Sequence, residues 1–382
     1  MKQIHFLMLS VMALFVSLSF SSCEEDEEVG QPKVDYVRVT DPASSDSMLV
    51  GAYQGNVVAI MGENLGSAVE VWFNDRQTPN LNPAYVTNES IIVTVPTKVP
   101  SEITNQMKIV FADGSSLLYD FEVHINKPEI SRMACEYVPE SGEAVIYGNY
   151  FYEPVTVTFS GGVSVEPDVV EDEVIHVTVP EGAQPGPVTV STNFGKTESD
   201  FWFRDNRNIV ISSDPFTGWW NESFVVTDPG EGDPPAINGN YIRVNQSISS
   251  WGWVEVVGGP ASAMGDISKN IPDEAILNPG LYNFKFEINT MKPYDNNMIK
   301  LNFGLQVENN DAYKWAPPYD TEGQWETVVI PFDEMVAAYE ETGSNISVNP
   351  DGYWTRVLFH GEGDLDCDIS FDNFRIVPKT LP

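Results

Sequence analysis

The sequence predicts an all-β chain of several domains. Three observations predict it: short β-branched runs broken by turns, 28 glycines and 27 prolines to build those turns, and a scheme of strands that recurs at a spacing of roughly 85 residues. With 382 residues the chain is long enough for two or three cores. Its hydrophobic content of 42% places it with globular chains rather than with disordered acidic ones. The 20 basic residues against 56 acidic ones give a net charge of −36, which excludes nucleic acid as a partner, because a phosphate binder needs a basic stripe.

Residues 1–22 read as an export signal. Lys2 supplies the positive end, an apolar run extends from Phe6 to Phe20, and Ser21-Ser22 precede Cys23. The run is short for a spanning helix. Glu24-Glu25-Asp26-Glu27-Glu28 follow as a solvated tether, 23–33 in all. A small residue before a Cys at the end of such a run resembles a bacterial lipobox. That resemblance implies cleavage before Cys23 and acylation there, with each buried CH2 contributing roughly 0.8 kcal/mol to anchoring. The acidic run resembles the surface-export signal of Bacteroidetes-type lipoproteins. Only Cys135 and Cys367 remain, far apart, and neither a disulfide framework nor a zinc-spaced cluster is expected.

Residues 34–126 and 127–204 carry the repeated scheme. Val57–Gly62, Val69–Phe73 and Ile91–Pro96 in the first match Val145–Gly148, Val155–Phe159 and Ile175–Pro180 in the second. Met107–Phe111 and Leu117–Tyr119 flank Asp113-Gly114, a hairpin signal. Gly62-Glu63-Asn64-Leu65-Gly66 followed by Val93–Pro96 resembles an IPT/TIG immunoglobulin-like domain. Gly148-Asn149-Tyr150-Phe151 followed by Val177–Pro180 resembles a second copy. The resemblance covers about 170 residues and implies two spacer sandwiches.

Residues 205–382 change in composition and hold seven of the nine tryptophans. Strands are expected at 241–245, 251–257, 282–288, 300–308, 326–330, 355–360 and 369–377, with a helix at 333–341. That number of strands predicts a jelly-roll-type β-sandwich, expected to fold on its own. Alternation puts Ile242 and Val244, Val254 and Val256, and Leu301, Phe303, Leu305 and Val307 on the core face. Tyr241, Arg243, Asn245, Trp251, Trp253, Glu255, Asn302, Gln306 and Glu308 fall on the other, with Gly304 leaving space.

An outward face that mixes flat aromatics with Arg, Asn, Gln and Glu suits sugars. A pyranose C–H face packs on an indole, and hydroxyls take the polar partners. The candidate glycan-binding set is Trp251, Trp253, Arg243, Asn302, Gln306 and Glu308, together with the loop aromatics Trp219, Trp220, Tyr313 and Trp315. The competing reading is that these aromatics cover a loop or pack on a neighbouring sheet. Trp325 and Trp354 lie beside apolar runs and are expected in the core.

No catalytic residue is assigned. His124, His176 and His360 are scattered, and neither a nucleophile elbow, a zinc-protease motif nor a P-loop is present. Neither a metal nor a cofactor is expected: Asp364, Asp366, Asp368 and Asp372 read as an acidic surface run, with oxygen ligation of a structural Ca2+ as the alternative. The whole layout resembles the surface glycan-binding lipoproteins of Bacteroidetes polysaccharide-utilisation systems. It implies a non-catalytic outer-membrane protein, exposed at the cell surface, that captures xyloglucan or mixed-linkage β-glucan. A transporter and sister glycan-binding lipoproteins are the further partners that it implies. A jelly-roll glycoside hydrolase or lyase, and an adhesin for protein partners, are the alternatives.

Overall fold

The computed structural model describes residues 30–305, 313–341 and 345–380. The signal, Cys23, the acidic run, Gln306, Val307 and Glu308 lie outside them. The chain divides into two compact units between Ile125 and Asn126.

The first unit holds β1 (Lys33–Val39), β2 (Gly51–Tyr53), β3 (Val57–Glu63), β4 (Ala68–Phe73), β5 (Arg76–Gln77), β6 (Ser90–Thr94), β7 (Gln106–Phe111), β8 (Ser116–Asp120) and β9 (Glu122–His124). Sheets β1-β3-β6 and β5-β4-β7-β8 form a sandwich, with β2 and β9 paired in parallel. Period-two alternation sends Ile91 and Val93 of β6, and Met107, Ile109 and Phe111 of β7, into one core with Val37 and Ile60.

The second unit begins with the other Ig-like sandwich. Its strands are β10 (Glu129–Met133), β11 (Glu143–Asn149), β12 (Thr156–Ser160), β13 (Val163–Val165), β14 (Val169–Val170), β15 (Val174–Thr178), β16 (Gln184–Thr192) and β17 (Gly195–Phe203). They pair as β10-β11-β15-β14 and β13-β12-β16-β17.

The repeat has a physical cause at one glycine in each copy. A bulge interrupts β1 between Val34 and Tyr36, and another interrupts β10 between Ile130 and Arg132. Each bulge brings a carbonyl against the facing strand. A Cβ on Gly62 would lie 2.0 Å from the Lys33 oxygen, and one on Gly148 would lie 1.9 Å from the Glu129 oxygen. Two residues on, Asn64 and Tyr150 both take left-handed backbone, with φ of 58° and 61°. That turn drives the next residue, Leu65 or Phe151, into its core. Gly148→Ala should therefore overpack the second copy and cost ~1–3 kcal/mol, read as a lowered melting temperature in calorimetry. An unchanged melt would mean that the bulge relaxes freely.

The larger sandwich follows. Its strands are β18 (Ile209–Ile211), β19 (Val225–Val226), β20 (Tyr241–Ile248), β21 (Val254–Gly259), β22 (Tyr282–Thr290), β23 (Ile299–Gly304), β24 (Tyr313–Trp315), β25 (Trp325–Pro331), β26 (Trp354–Phe359) and β27 (Leu365–Pro378). One sheet runs β19-β20-β27-β22-β25, with β18 also on β27, and the other runs β21-β26-β23-β24. The two sheets enclose the largest core, which includes Phe286, Ile288, Leu301, Val357, Phe359 and Phe371. A helix, α1 (Phe332–Glu341), closes one end. Two expectations shift: the strand expected from Trp251 starts at Val254, and β23 ends at Gly304. The space expected beside Gly304 is filled by Tyr339 of α1, whose ring would lie 2.3 Å from an added Cβ.

The last sandwich is not built as a separate body. Tyr241 and Trp325 reach from it into the core of the preceding one, and the Trp325 indole donates to the Pro235 oxygen at 2.8 Å. Between the two lies a cluster of four charges, none more than 7% exposed. Glu136, just past β10, accepts from Lys285 Nζ at 2.6 Å and from Arg375 Nη2 at 2.6 Å. Arg375 also donates to both oxygens of Glu287, at 2.8 and 2.9 Å. Thr327 completes the relay. Its hydroxyl accepts from the Glu136 backbone N–H at 2.8 Å and donates to Glu287 at 2.9 Å.

Two acids and two bases cancel, so the cluster is neutral as a set and not in parts. Removing one partner of a buried pair costs about 3–5 kcal/mol. Glu136→Gln should lower the unfolding free energy of the second unit by that order, and both of its sandwiches should melt together. Two separate transitions in urea, or an unchanged midpoint, would contradict the joint core.

Candidate functional site

The sheet β21-β26-β23-β24 keeps aliphatic residues on its inner face. In β26, Val357 and Phe359 point into the core. Alternation then places Trp354, Arg356 and, one residue past the strand, His360 on the outer face. Two loops bring further tryptophans to that face.

The first loop carries Trp219 and Trp220. Gly218 has φ of 138°, and a Cβ there would lie 2.7 Å from the Gly258 oxygen. Its lack of a side chain lets the loop lie directly on β21, where the Trp219 N–H donates to Gly258 O at 2.8 Å. Asn221 then donates its side-chain amide to the Glu255 carbonyl.

The second loop is the turn before β21, and it is latched to residues 361–364. The Trp251 N–H donates to Gly361 O at 2.6 Å, the Ser250 N–H donates to Asp364 at 2.7 Å, and the Gly363 N–H donates to Ser250 Oγ at 3.0 Å. Trp251 itself has φ of 58°. Left-handed backbone on a bulky residue costs on the order of 1–3 kcal/mol and persists only where the surroundings hold it.

The result is a row of exposed rings. Trp219 and Trp251 are each 60% exposed and Trp253 is 46% exposed, values unusual for indoles without a task. Trp219 meets Trp220 and Trp354 edge-on, at 6.0 and 5.5 Å between centroids. Trp251 and Trp253 flank His360, at 5.5 and 4.9 Å. The Arg356 guanidinium sits over both Trp220 and Trp253, 5.2 and 5.0 Å from their centroids. Glu255 binds Arg356 through both oxygens and also accepts the Trp253 indole N–H at 2.7 Å.

Of the residues chosen from the sequence, the structure brings together Trp219, Trp220, Trp251 and Trp253. The others lie elsewhere. Arg243 is on β20, in the opposite sheet, where Asp368 and Asp233 hold its guanidinium. The hydrogen bonds to Asp368 raise it further above the ordinary guanidinium value. Asn302 faces Arg356 across the β23–β26 pair but is only 6% exposed. Tyr313 and Trp315 pack on the core, Trp315 among Phe286, Tyr294 and Tyr319.

Trp354, Arg356 and His360 were missed. Their signal was the alternation around Val357 and Phe359, hidden because Trp354 was read with its apolar neighbours. Trp325 does lie in the core, at 7% exposure. The acidic run is divided among separate tasks: Asp364 takes Ser250, Asp366 pairs with Lys292, Asp368 pairs with Arg243, and Asp372 is buried against Ser213. Among the described residues no three His, Cys, Asp or Glu side chains converge.

Residues 203–378 match the family model for the surface glycan-binding protein B xyloglucan binding domain. An IPT/TIG domain-containing protein of Bacteroides ovatus is 32% identical over 149 residues, which are 37% of this chain and 30% of that protein. The chain thus spans under a third of that relative's length. The crystal structure of a surface glycan-binding protein from Prevotella bryantii aligns over 92% of this chain and 99% of its own, with a TM-score of 0.69 and 21% identity. A surface glycan-binding protein B of Bacteroides uniformis, from a complex xyloglucan utilization locus, aligns over 91% and 99%, with a TM-score of 0.51 and 19% identity. Residues 203–378 thus fit the model of a surface glycan-binding protein B xyloglucan binding domain, and the fold of two Ig-like sandwiches followed by a larger one is that of the solved surface glycan-binding proteins.

Proposed function

We propose that this chain captures a neutral β-glucan, xyloglucan or a mixed-linkage glucan, at the bacterial surface without cleaving it. The observation that carries the reading is the row of exposed tryptophans on the outer sheet of the domain that fits the xyloglucan-binding model. Indole faces match the C–H faces of successive glucose rings, and such stacking works along a chain without reaction chemistry. A glycosidase needs two carboxyl groups about 5–10 Å apart across a cleft. Glu255, the carboxylate within the row, is instead committed to Arg356 and the Trp253 indole.

In chain order the acidic tether and the first unit come between the binding domain and Cys23, which serves as the lipid anchor. A transporter and sister glycan-binding lipoproteins receive the captured chain. Affinity electrophoresis against a polysaccharide panel tests the substrate, with retardation expected in xyloglucan or mixed-linkage glucan gels. No retardation, or release of reducing sugar, would sink the reading.

Two variants sharpen it. Truncating a stacked anchor costs ~2 kcal/mol, or about 30-fold in affinity. Trp253→Ala should show a loss of that size by calorimetric titration with xyloglucan oligosaccharides, its melt remaining close to the parent's. Cys23→Ala should leave the protein soluble or mis-sorted, read by fractionation and by protease shaving of intact cells. An unchanged membrane fraction would rule out the anchor.

A further inference from the structure

We infer that the Arg356–Glu255 pair is the positioning element that joins two aromatic half-sites into one continuous platform, and so sets the length of glycan that the face reads. This rests on the binding function proposed above. The tryptophans come from separate segments of chain. Trp219 touches both Trp220 and Trp354 at one end of β26, and Trp251 and Trp253 gather on His360 at the other. Among the described residues no ring contact runs from one group to the other.

Arg356 makes the connection, with its guanidinium against Trp220 on one side and Trp253 on the other. Glu255 fixes the guanidinium through both oxygens, holds Trp253 by its indole N–H, and holds the other loop by the Asn221 bond to its carbonyl. The pair therefore contacts both loops at once. Its side chains are only 10% and 12% exposed, so water does not compete freely for the bond. A planar guanidinium can donate two parallel bonds to one carboxylate and present flat faces to two rings, and no lysine can do both.

From Trp354 to His360 the strand advances six residues, about 20 Å at ~3.3 Å per residue. That exceeds one sugar ring, so a ligand must be an oligosaccharide to engage both groups. Each group alone offers a short, weak site. Two weak sites held in fixed register reward a ligand that spans them by far more than either gives alone. The register is what the pair supplies.

The test uses the full chain and calorimetric titration with xyloglucan oligosaccharides of one and of two repeat units. The parent is expected to prefer the longer by about tenfold or more. Arg356→Lys and Glu255→Gln should lose most of that preference, with affinity for the longer oligosaccharide falling far more than affinity for the shorter. The double variant Glu255→Gln/Arg356→Met removes both charges together, leaves no orphaned ion, and should behave alike. A merely structural role would weaken both lengths equally. Folded variants that keep the length preference, or a parent without one, would overturn the inference. If the parent binds neither glycan, the binding function fails, and the pair is then judged by near-ultraviolet circular dichroism. An altered tryptophan signal at an unchanged melt supports the positioning role, and an unaltered signal refutes it.

Discussion

The buried cluster of Glu136, Lys285, Glu287 and Arg375 is the interaction on which the second unit depends. Charges taken out of water are tolerated only when each is paired and hydrogen-bonded. Here the pairing is complete only when two domains contribute. β22 sends Phe284, Phe286 and Ile288 to the core, and Lys285 and Glu287 to the opposite face. The preceding Ig-like sandwich covers that polar face and supplies the missing carboxylate. One sheet of the last sandwich is thus committed to its neighbour, and the other is left for the tryptophans. The second Ig-like sandwich is consequently a structural part of the binding domain.

The aromatic row obeys the same economy of fixed partners. Side chains that must meet a flexible polymer lose less on binding when they are ordered beforehand. Each segment that carries a tryptophan is tied to the scaffold by backbone bonds: Trp219 to Gly258, and Trp251 to Gly361. Trp251 accepts a left-handed backbone to be placed there. Strain at an exposed aromatic, held by three bonds to a neighbouring turn, is what the proposed contact role of Trp251 requires.

Much of the fold was legible because alternation and repetition are direct readings of burial. Ile91 and Val93, or Ile175 and Val177, have one physical solution once paired strands are assumed. The candidate site was half legible. Trp219, Trp220, Trp251 and Trp253 stood out because large exposed indoles need a reason. Arg243 misled because alternation tells the face of a strand and not the sheet to which the strand belongs. Trp354 misled because its neighbours Val357, Leu358 and Phe359 argued for burial in a strand whose outer face was the one of interest. Tyr313 and Trp315 looked like loop residues and instead pair with β23, from which Trp315 turns into the core. The charge cluster was beyond reach: Glu136 is 149 residues from Lys285 and 239 from Arg375, and nothing local marks it among 56 acidic residues.

The loop that carries Trp219 and Trp220 has a second consequence. β21 is the outermost strand of its sheet, and an outermost strand offers unpaired carbonyls to any strand that approaches. Two of those carbonyls, on Glu255 and Gly258, are already taken by Asn221 and by the Trp219 N–H. The loop lies along the open edge and closes it to strand addition. Edge-to-edge pairing between exposed strands is a general route to aggregation, most of all at high local concentration. Gly218, whose missing side chain lets the loop lie on β21, is thereby also the residue that keeps this edge covered.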